Sequence, residues 1–198
     1  MGAEPRRVQL TKITISGSDI EIRQATAEQI DAIKRLFDRH KTELGFVTRS
    51  ALVNSLKRNE LLVAATENGE IVGVVHYRHR KDGQTTLYSI VVDSAYRLRA
   101  VGRVLLHELK HEALSKGQKS IHLKCPVELE ANKFYKAEHF LLVTIEPGKH
   151  RPLNIWFLPL RNCNAGGFPD TGMREYHRTV KGNQDEPEET QLQPVVQV

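Results

Sequence analysis

Cysteine is scarce in this chain: Cys125 and Cys163 are the only two in 198 residues. Two thiols make no disulfide framework, and no Cys-x-x-Cys pair offers a zinc ribbon. Long hydrophobic runs are missing too. No stretch approaches the roughly 20 apolar residues needed to span a bilayer. The first ten residues lack the apolar segment of a secretory leader. The expected compartment is therefore the cytoplasm, with no membrane partner. Aromatic residues make up 6% of the chain, with a single tryptophan. They form no stacking platform and no recognised nucleic-acid motif.

What remains is ordinary soluble-protein material: 39% hydrophobic and 27% charged residues, enough for one domain with its own core. The net charge of +5 is uneven. Residues 162–198 hold three basic side chains (Arg174, Arg178, Lys181) and six acidic ones (Asp170, Glu175, Asp185, Glu186, Glu188, Glu189), which leaves +8 on the body. A basic body attracts anions in general: nucleic acid, acidic proteins or a phosphorylated cofactor. A plain lysine-rich surface would look the same, so charge does not choose between them.

Periodicity divides the chain. Residues 1–18 are polar with a short alternating run, read as an extra edge strand or an arm. Ile20 and Ile22 alternate as in a strand. Thr26 and Glu28 then open a helix that places Ile30, Ile33, Leu36 and Phe37 on one face. A second helix is expected near 49–58. Strands follow at 60–66, 70–80 and 84–92, separated by the turn pairs Asn68-Gly69 and Asp82-Gly83. The run Ile71-Val72-Gly73-Val74-Val75 marks a central strand. Val101, Val104, Leu105, Leu109 and Ala113 then recur at helical spacing until Gly117, a helix stop. A strand at 120–124, a helix at 129–138 and a strand pair at 140–145 and 154–160 complete the pattern. Residues 162–198, rich in Gly, Pro and acids, read as a flexible tail. Residues 19–161 form the expected domain. The element order implies an α/β (α+β) fold with a mixed sheet.

The segment that carries chemistry lies between the third meander strand and the long helix. It reads Tyr96-Arg97-Leu98-Arg99-Ala100-Val101-Gly102-Arg103-Val104-Leu105-Leu106. Small residues at Ala100 and Gly102 let backbone approach a ligand. The first N–H groups of a helix lack intrahelical partners and face the positive end of its dipole, which makes an anion site. Arg97, Arg99 and Arg103 add charge, although arginines at such a place are often simply solvated.

This segment resembles the pyrophosphate loop of the GNAT acetyltransferases. A second family element also has a counterpart, Ala131-Asn132-Lys133-Phe134-Tyr135-Lys136-Ala137-Glu138-His139-Phe140. The resemblance covers about residues 19–160. It implies a GNAT-like, mostly antiparallel sheet flanked by helices, and N-acetyl transfer from acetyl-CoA to a primary amine without a metal. It implies that the backbone at Ile90, Val91 and Val92 pairs with the pantetheine. The loop Arg97, Leu98, Arg99, Ala100, Val101, Gly102 and Arg103 would hold the pyrophosphate. Tyr135 would give a proton to the departing thiolate. An amphipathic helix residue packed beside Phe134 would look the same in sequence.

The chain departs from the family pattern at three positions. Glu128 stands where the family has an Asn, with Asn132 as a stand-in for holding the pantetheine. His139 replaces the Gly before Phe140. Tyr88 stands where the family often has a Glu, so no general base carries over. His76, His79, His139, Glu128 and Tyr88 remain candidates, and strand parity puts His76 and His79 on opposite faces.

Two other readings compete. His107-Glu108-Leu109-Lys110-His111 matches His-Glu-x-x-His, and two histidines at i and i+4 share a helix face that could hold zinc for a hydrolase, with Glu128 or Glu130 as third ligand. Two surface histidines on a helix whose other face packs on the sheet give the same pattern. A non-catalytic CoA-binding module is the other reading. Cys125 lacks a His partner and reads as a packed strand-end residue. The acceptor amine is open between small molecules, protein lysines or N-termini, and aminoacyl-tRNA, the one nucleic acid compatible with the reading. A homodimer is compatible as well.

Overall fold

The computed structural model describes residues 11–15 and 18–160; the expected tail at 162–198 lies outside them. The elements run β1 (Thr11–Ile15), β2 (Ser18–Gln24), α1 (Ile30–Arg39), α2 (Lys41–Leu44), α3 (Arg49–Lys57), β3 (Leu61–Thr66), β4 (Ile71–His79), β5 (Gln84–Val92), α4 (Val101–Ser115), β6 (Ser120–Pro126), α5 (Ala131–Ala137), β7 (Leu141–Glu146) and β8 (Leu153–Pro159). Together the strands make one eight-stranded sheet in the order β1-β2-β3-β4-β5-β6-β8-β7. Within the N-terminal run the described residues 11–15 form β1, which pairs antiparallel with β2, with Ile13 opposite Ile20. The one-turn helix α2 has no counterpart in the sequence reading, because four residues are too few to show a period.

The meander β3-β4-β5 forms as its turns dictate. Gly69 and Gly83 both sit at positive φ, where a side chain would be strained. β4 lies at the centre with its first seven residues buried. That explains its near-continuous apolar run, which a half-exposed strand would interrupt. Every pairing is antiparallel except β5 with β6. Parallel neighbours need a crossover, and α4 supplies it.

Helices cover both faces. On one, α1 and α3 pack Ile33, Leu36, Phe37 and Leu52 against Leu61, Val63, Val74 and Val91. On the other, α4 and α5 pack Val101, Leu105, Leu109 and Tyr135 against Leu62, Val75, Ile90, Leu123 and Trp156. Gly73 sets the height of α4 above the sheet. A Cβ there would lie 2.8 Å from Leu105 Cδ1 and 3.3 Å from Val101 Cγ1, so the missing side chain lets the first turns of α4 sit directly on β4.

Gly73→Val should therefore lower stability by about 1–3 kcal/mol through overpacking, with the start of α4 pushed off the sheet. Urea unfolding of the variant beside the parent chain measures it; an unchanged midpoint would mean α4 yields without resistance.

Candidate active site

The sheet carries a defect in its middle. β5 and β6 pair over three positions only, Gln84 with Ser120, Thr85 with Ile121 and Thr86 with His122. Beyond them β6 stays paired to β8 as far as Pro126 opposite Leu153, and β5 stays paired to β4 as far as Val92 opposite Gly73. The two strands thus part after Thr86 and leave facing backbone edges without ladder partners. A β-bulge lies just past the parting: His76 pairs with Ser89 and Tyr77 with Leu87, so Tyr88 is the extra residue. A bulge bends its strand and increases the local twist, which turns β5 away from β6.

Ile90 and Val92 bury their side chains on the α4 face and Val91 on the α1 face. Only their backbone is left to meet a ligand.

At the open end of the gap lies a cavity of about 530 Å³, lined by Val92, Tyr96, Arg97, Leu98, Ala100, Val101, Gly102, Arg103, Glu130, Ala131, Lys133 and Phe134. Val92, Arg97, Leu98, Ala100, Val101, Gly102 and Arg103 of the expected site meet there; Ile90, Val91, Arg99 and Asn132 are not in its wall. Leu98 and Ala100 both hold positive φ, 59° and 63°. Non-glycine residues in this region carry strain of order 1 kcal/mol or more. Left-handed residues alternating along a loop turn successive N–H groups to one side, the geometry of an anion-binding nest. Ala100 is also the N-cap of α4, so the loop runs directly into the first helical turn, whose N–H groups lack intrahelical partners.

The arginine side chains also have partners within the protein. Arg97 donates through Nε to the Val92 carbonyl at 3.1 Å and lies 3.0 Å from His40 Nδ1, with Glu43 at 3.9 Å. It ties the end of β5 to the α1–α2 junction. Arg103 donates to Glu138 at 2.8 Å, and Arg99 is engaged as well.

Tyr135 is fully buried among Phe134, Phe140 and Trp156, with ring centroids 5.3–6.1 Å away. Among the described residues its hydroxyl has no hydrogen-bond partner. Burial, and next the nearby Cys125, push its pKa well above the usual tyrosine value, so the phenol keeps its proton. Cys125 is itself buried in the α4-face core, with its thiol pushed up to about 12 by burial. Asn132 gives its amide hydrogens to the carbonyls of Pro126 and Leu129, both at 2.8 Å. Its oxygen accepts from Asn154 and Trp156, both at 2.9 Å. It locks the β6–α5 turn to β8.

The candidate bases are scattered. His76 is sealed between Phe37 and Tyr88, with Nε2 2.8 Å from Ser55 Oγ; burial lowers its pKa to about 3. His79 lies beside Tyr77, whose side chain is in the α4-face core, and pairs with Thr85 at 2.9 Å. His139 is exposed at the end of α5. Glu128 accepts from Arg151 at 2.8 Å, and Arg151 also reaches the Glu43 carbonyl at 3.4 Å. The β7–β8 turn, the β6–α5 turn and α2 thus meet on one side of the gap.

The sequence reading overlooked His122, which sits at the last β5–β6 pair with Nε2 2.8 Å from Thr86 Oγ1. Alternation did carry a signal: Ile121, Leu123 and Cys125 face the core, so His122 and Lys124 must face the other way. Nothing in the sequence said that this side borders a gap.

His107 and His111 stack 5.2 Å apart on the exposed side of α4. Among the described residues no group of three or more His, Cys, Asp or Glu gathers where it could hold a metal ion. No described helix is long and apolar enough to cross a membrane.

Comparison with known proteins agrees with this geometry. Residues 28–140 match the model of the acetyltransferase (GNAT) family. The fold is similar to that of Ard1 from Thermoplasma volcanium, with a TM-score of 0.66 at 17% identity over 72% of this chain and 99% of that one. It is similar to the ribosomal-protein-S18-alanine N-acetyltransferase of Escherichia coli, with a TM-score of 0.62 at 19% identity over 76% and 99%. It is also similar to an N-acetylglutamate synthase from Neisseria gonorrhoeae complexed with coenzyme A and N-acetyl-glutamate, with a TM-score of 0.63 at 16% identity over 72% and 35%. No curated protein matches the sequence.

The departure at His139 has a local consequence. Its φ is 66°, the left-handed position that ends a helix and that glycine fills without strain. His139→Gly should raise the unfolding free energy by about 1 kcal/mol, read as a higher midpoint in denaturant; a lower midpoint would show that the imidazole stabilises the turn.

Proposed function

The chain belongs to the acetyltransferase (GNAT) family, and from that premise we propose that it moves an acetyl group from acetyl-CoA to a primary amine by direct attack in a ternary complex. The observation that carries the reading is the parting of β5 from β6 beside a cavity lined by a left-handed loop and the start of α4. A phosphorylated tail at the cavity and an extended amide-containing arm along the free strand edges would satisfy both. The relative crystallised with coenzyme A supports the same ligand class.

Each residue then has a task. The N–H groups of the loop from Leu98 to Arg103 and of the first turn of α4 hold the pyrophosphate, helped by the helix dipole. Arg97 fixes the end of β5 through Val92. The backbone at Ile90, Val91 and Val92 pairs with the pantetheine. An N–H at the bulge side of this edge polarises the thioester carbonyl. Acetyl-CoA supplies the activated acetyl group. Tyr135 gives its proton to the departing thiolate, and its unpartnered hydroxyl fits a site that lacks one polar neighbour. Asn132 holds α5, and with it Tyr135, against β8.

Two tests follow. Calorimetric titration with acetyl-CoA in chelator-treated buffer should give saturable one-site binding at micromolar strength. Gly102→Glu, which crowds and repels a pyrophosphate, should weaken it at least about tenfold; undiminished affinity would remove the loop from the site. Tyr135→Phe should lower kcat by about 10²-fold with affinity for acetyl-CoA largely kept. Unchanged turnover would leave Tyr135 as a core residue.

A further inference from the structure

We infer that His122 is the proton acceptor for the attacking amine, a role resting on the acyl-transfer reading above. The gap between β5 and β6 closes at the Thr86–His122 pair, so a molecule entering from the cavity ends its reach there. On the α4 side the gap is backed by core: Ile90, Ile121, Leu123, Cys125 and Tyr135 are all fully buried. An acceptor must come from the opposite side. There Thr86, Tyr88, His122 and Lys124 are each partly exposed.

Three of these four are poor proton acceptors. Lys124 is a cation held by Glu146 at 2.7 Å, Tyr88 is a phenol that shares its face with His76, and Thr86 is a hydroxyl bonded to His122. The imidazole remains. With Nε2–H donating to Thr86 Oγ1, the lone pair of Nδ1 is the free acceptor. Burial and the neighbouring Arg80 and Lys124 keep the ring neutral, lowering its pKa to about 4 against an opposing pull from Asp82. The ring is thus neutral at pH 7, and what it offers the amine is a positioned lone pair, not a strong base. Of the other imidazoles on the sheet, His76 shares this face but is buried, with Nε2 on Ser55, and His79 is on the α4 face, bonded to Thr85.

In the step, the amine nitrogen bonds to the acetyl carbon and its proton passes to His122. The bond from carbon to sulfur breaks, the thiolate takes the Tyr135 proton, and both side chains return to their starting states through solvent. One acetyl amide and one free thiol are formed.

The test uses the full chain, acetyl-CoA and methylamine, an acceptor small enough to enter whatever the groove's shape, with thiol release followed at pH 7.5. Acetyl-CoA affinity is measured on the same samples. His122→Ala should bind acetyl-CoA as the parent does, lose about 10²-fold or more in turnover, and regain rate when imidazole is added. His122→Gln, which can still bond Thr86, should be equally slow. Parent-like turnover in either variant overturns the proposal, as does a slow His122→Ala that imidazole does not rescue while His122→Gln is restored by its Thr86 contact. A parent chain that fails to bind acetyl-CoA overturns the acyl-transfer reading itself, and this proposal with it.

Discussion

The site depends on a competition between strands for β6. Both neighbours could pair along its whole length, yet β8 holds all seven of its residues and β5 holds three. The bulge at Tyr88 turns β5 aside, while Asn132 and Trp156 pin β8 and α5 to the far side of the gap. Backbone groups left without partners inside a protein are costly. An extended ligand along the gap, as in the proposed function, would give these edges partners. The cavity at the open end and the loop beside it would take the other end of that ligand.

Much of this was legible in the sequence, for reasons that are local. Asn68-Gly69 and Asp82-Gly83 fix the two hairpins because their left-handed glycines admit little else. The change of period between Val92 and Val101 marks the crossover from strand to helix. The Ala100 and Gly102 positions announce close backbone approach. What escaped the reading is tertiary. Where β5 leaves β6 depends on β8, which lies more than thirty residues further on. The partners of Arg97 and Arg103 are His40, Glu43 and Glu138, and no local pattern links them. His122 alternated correctly with its apolar neighbours, but which face of β6 stayed open was decided by helices elsewhere.

On the proposed function, the engaged arginines also change how the loop would hold a phosphate. A cluster of free guanidinium groups would attract any phosphate by charge, with little regard for shape, and its strength would fall steeply with salt. Here Arg97 is bonded to the Val92 carbonyl and His40, and Arg103 to Glu138, so these side chains tie the loop to its neighbours. Recognition by backbone N–H groups would then suit one phosphate geometry better than another.

Seen mechanically, the half-unzipped seam divides the sheet into two plates, β1 to β5 and β6 to β8, joined along their shared edge by only three residue pairs. Such a joint bends more easily than a full ladder, much as a book opens at a weak binding. A ligand bridging both free edges would act as a ninth strand between the plates, stiffening the whole body. The empty and filled proteins would then differ less in shape than in rigidity, and the molecule that brings the acetyl group would also be a temporary part of the framework.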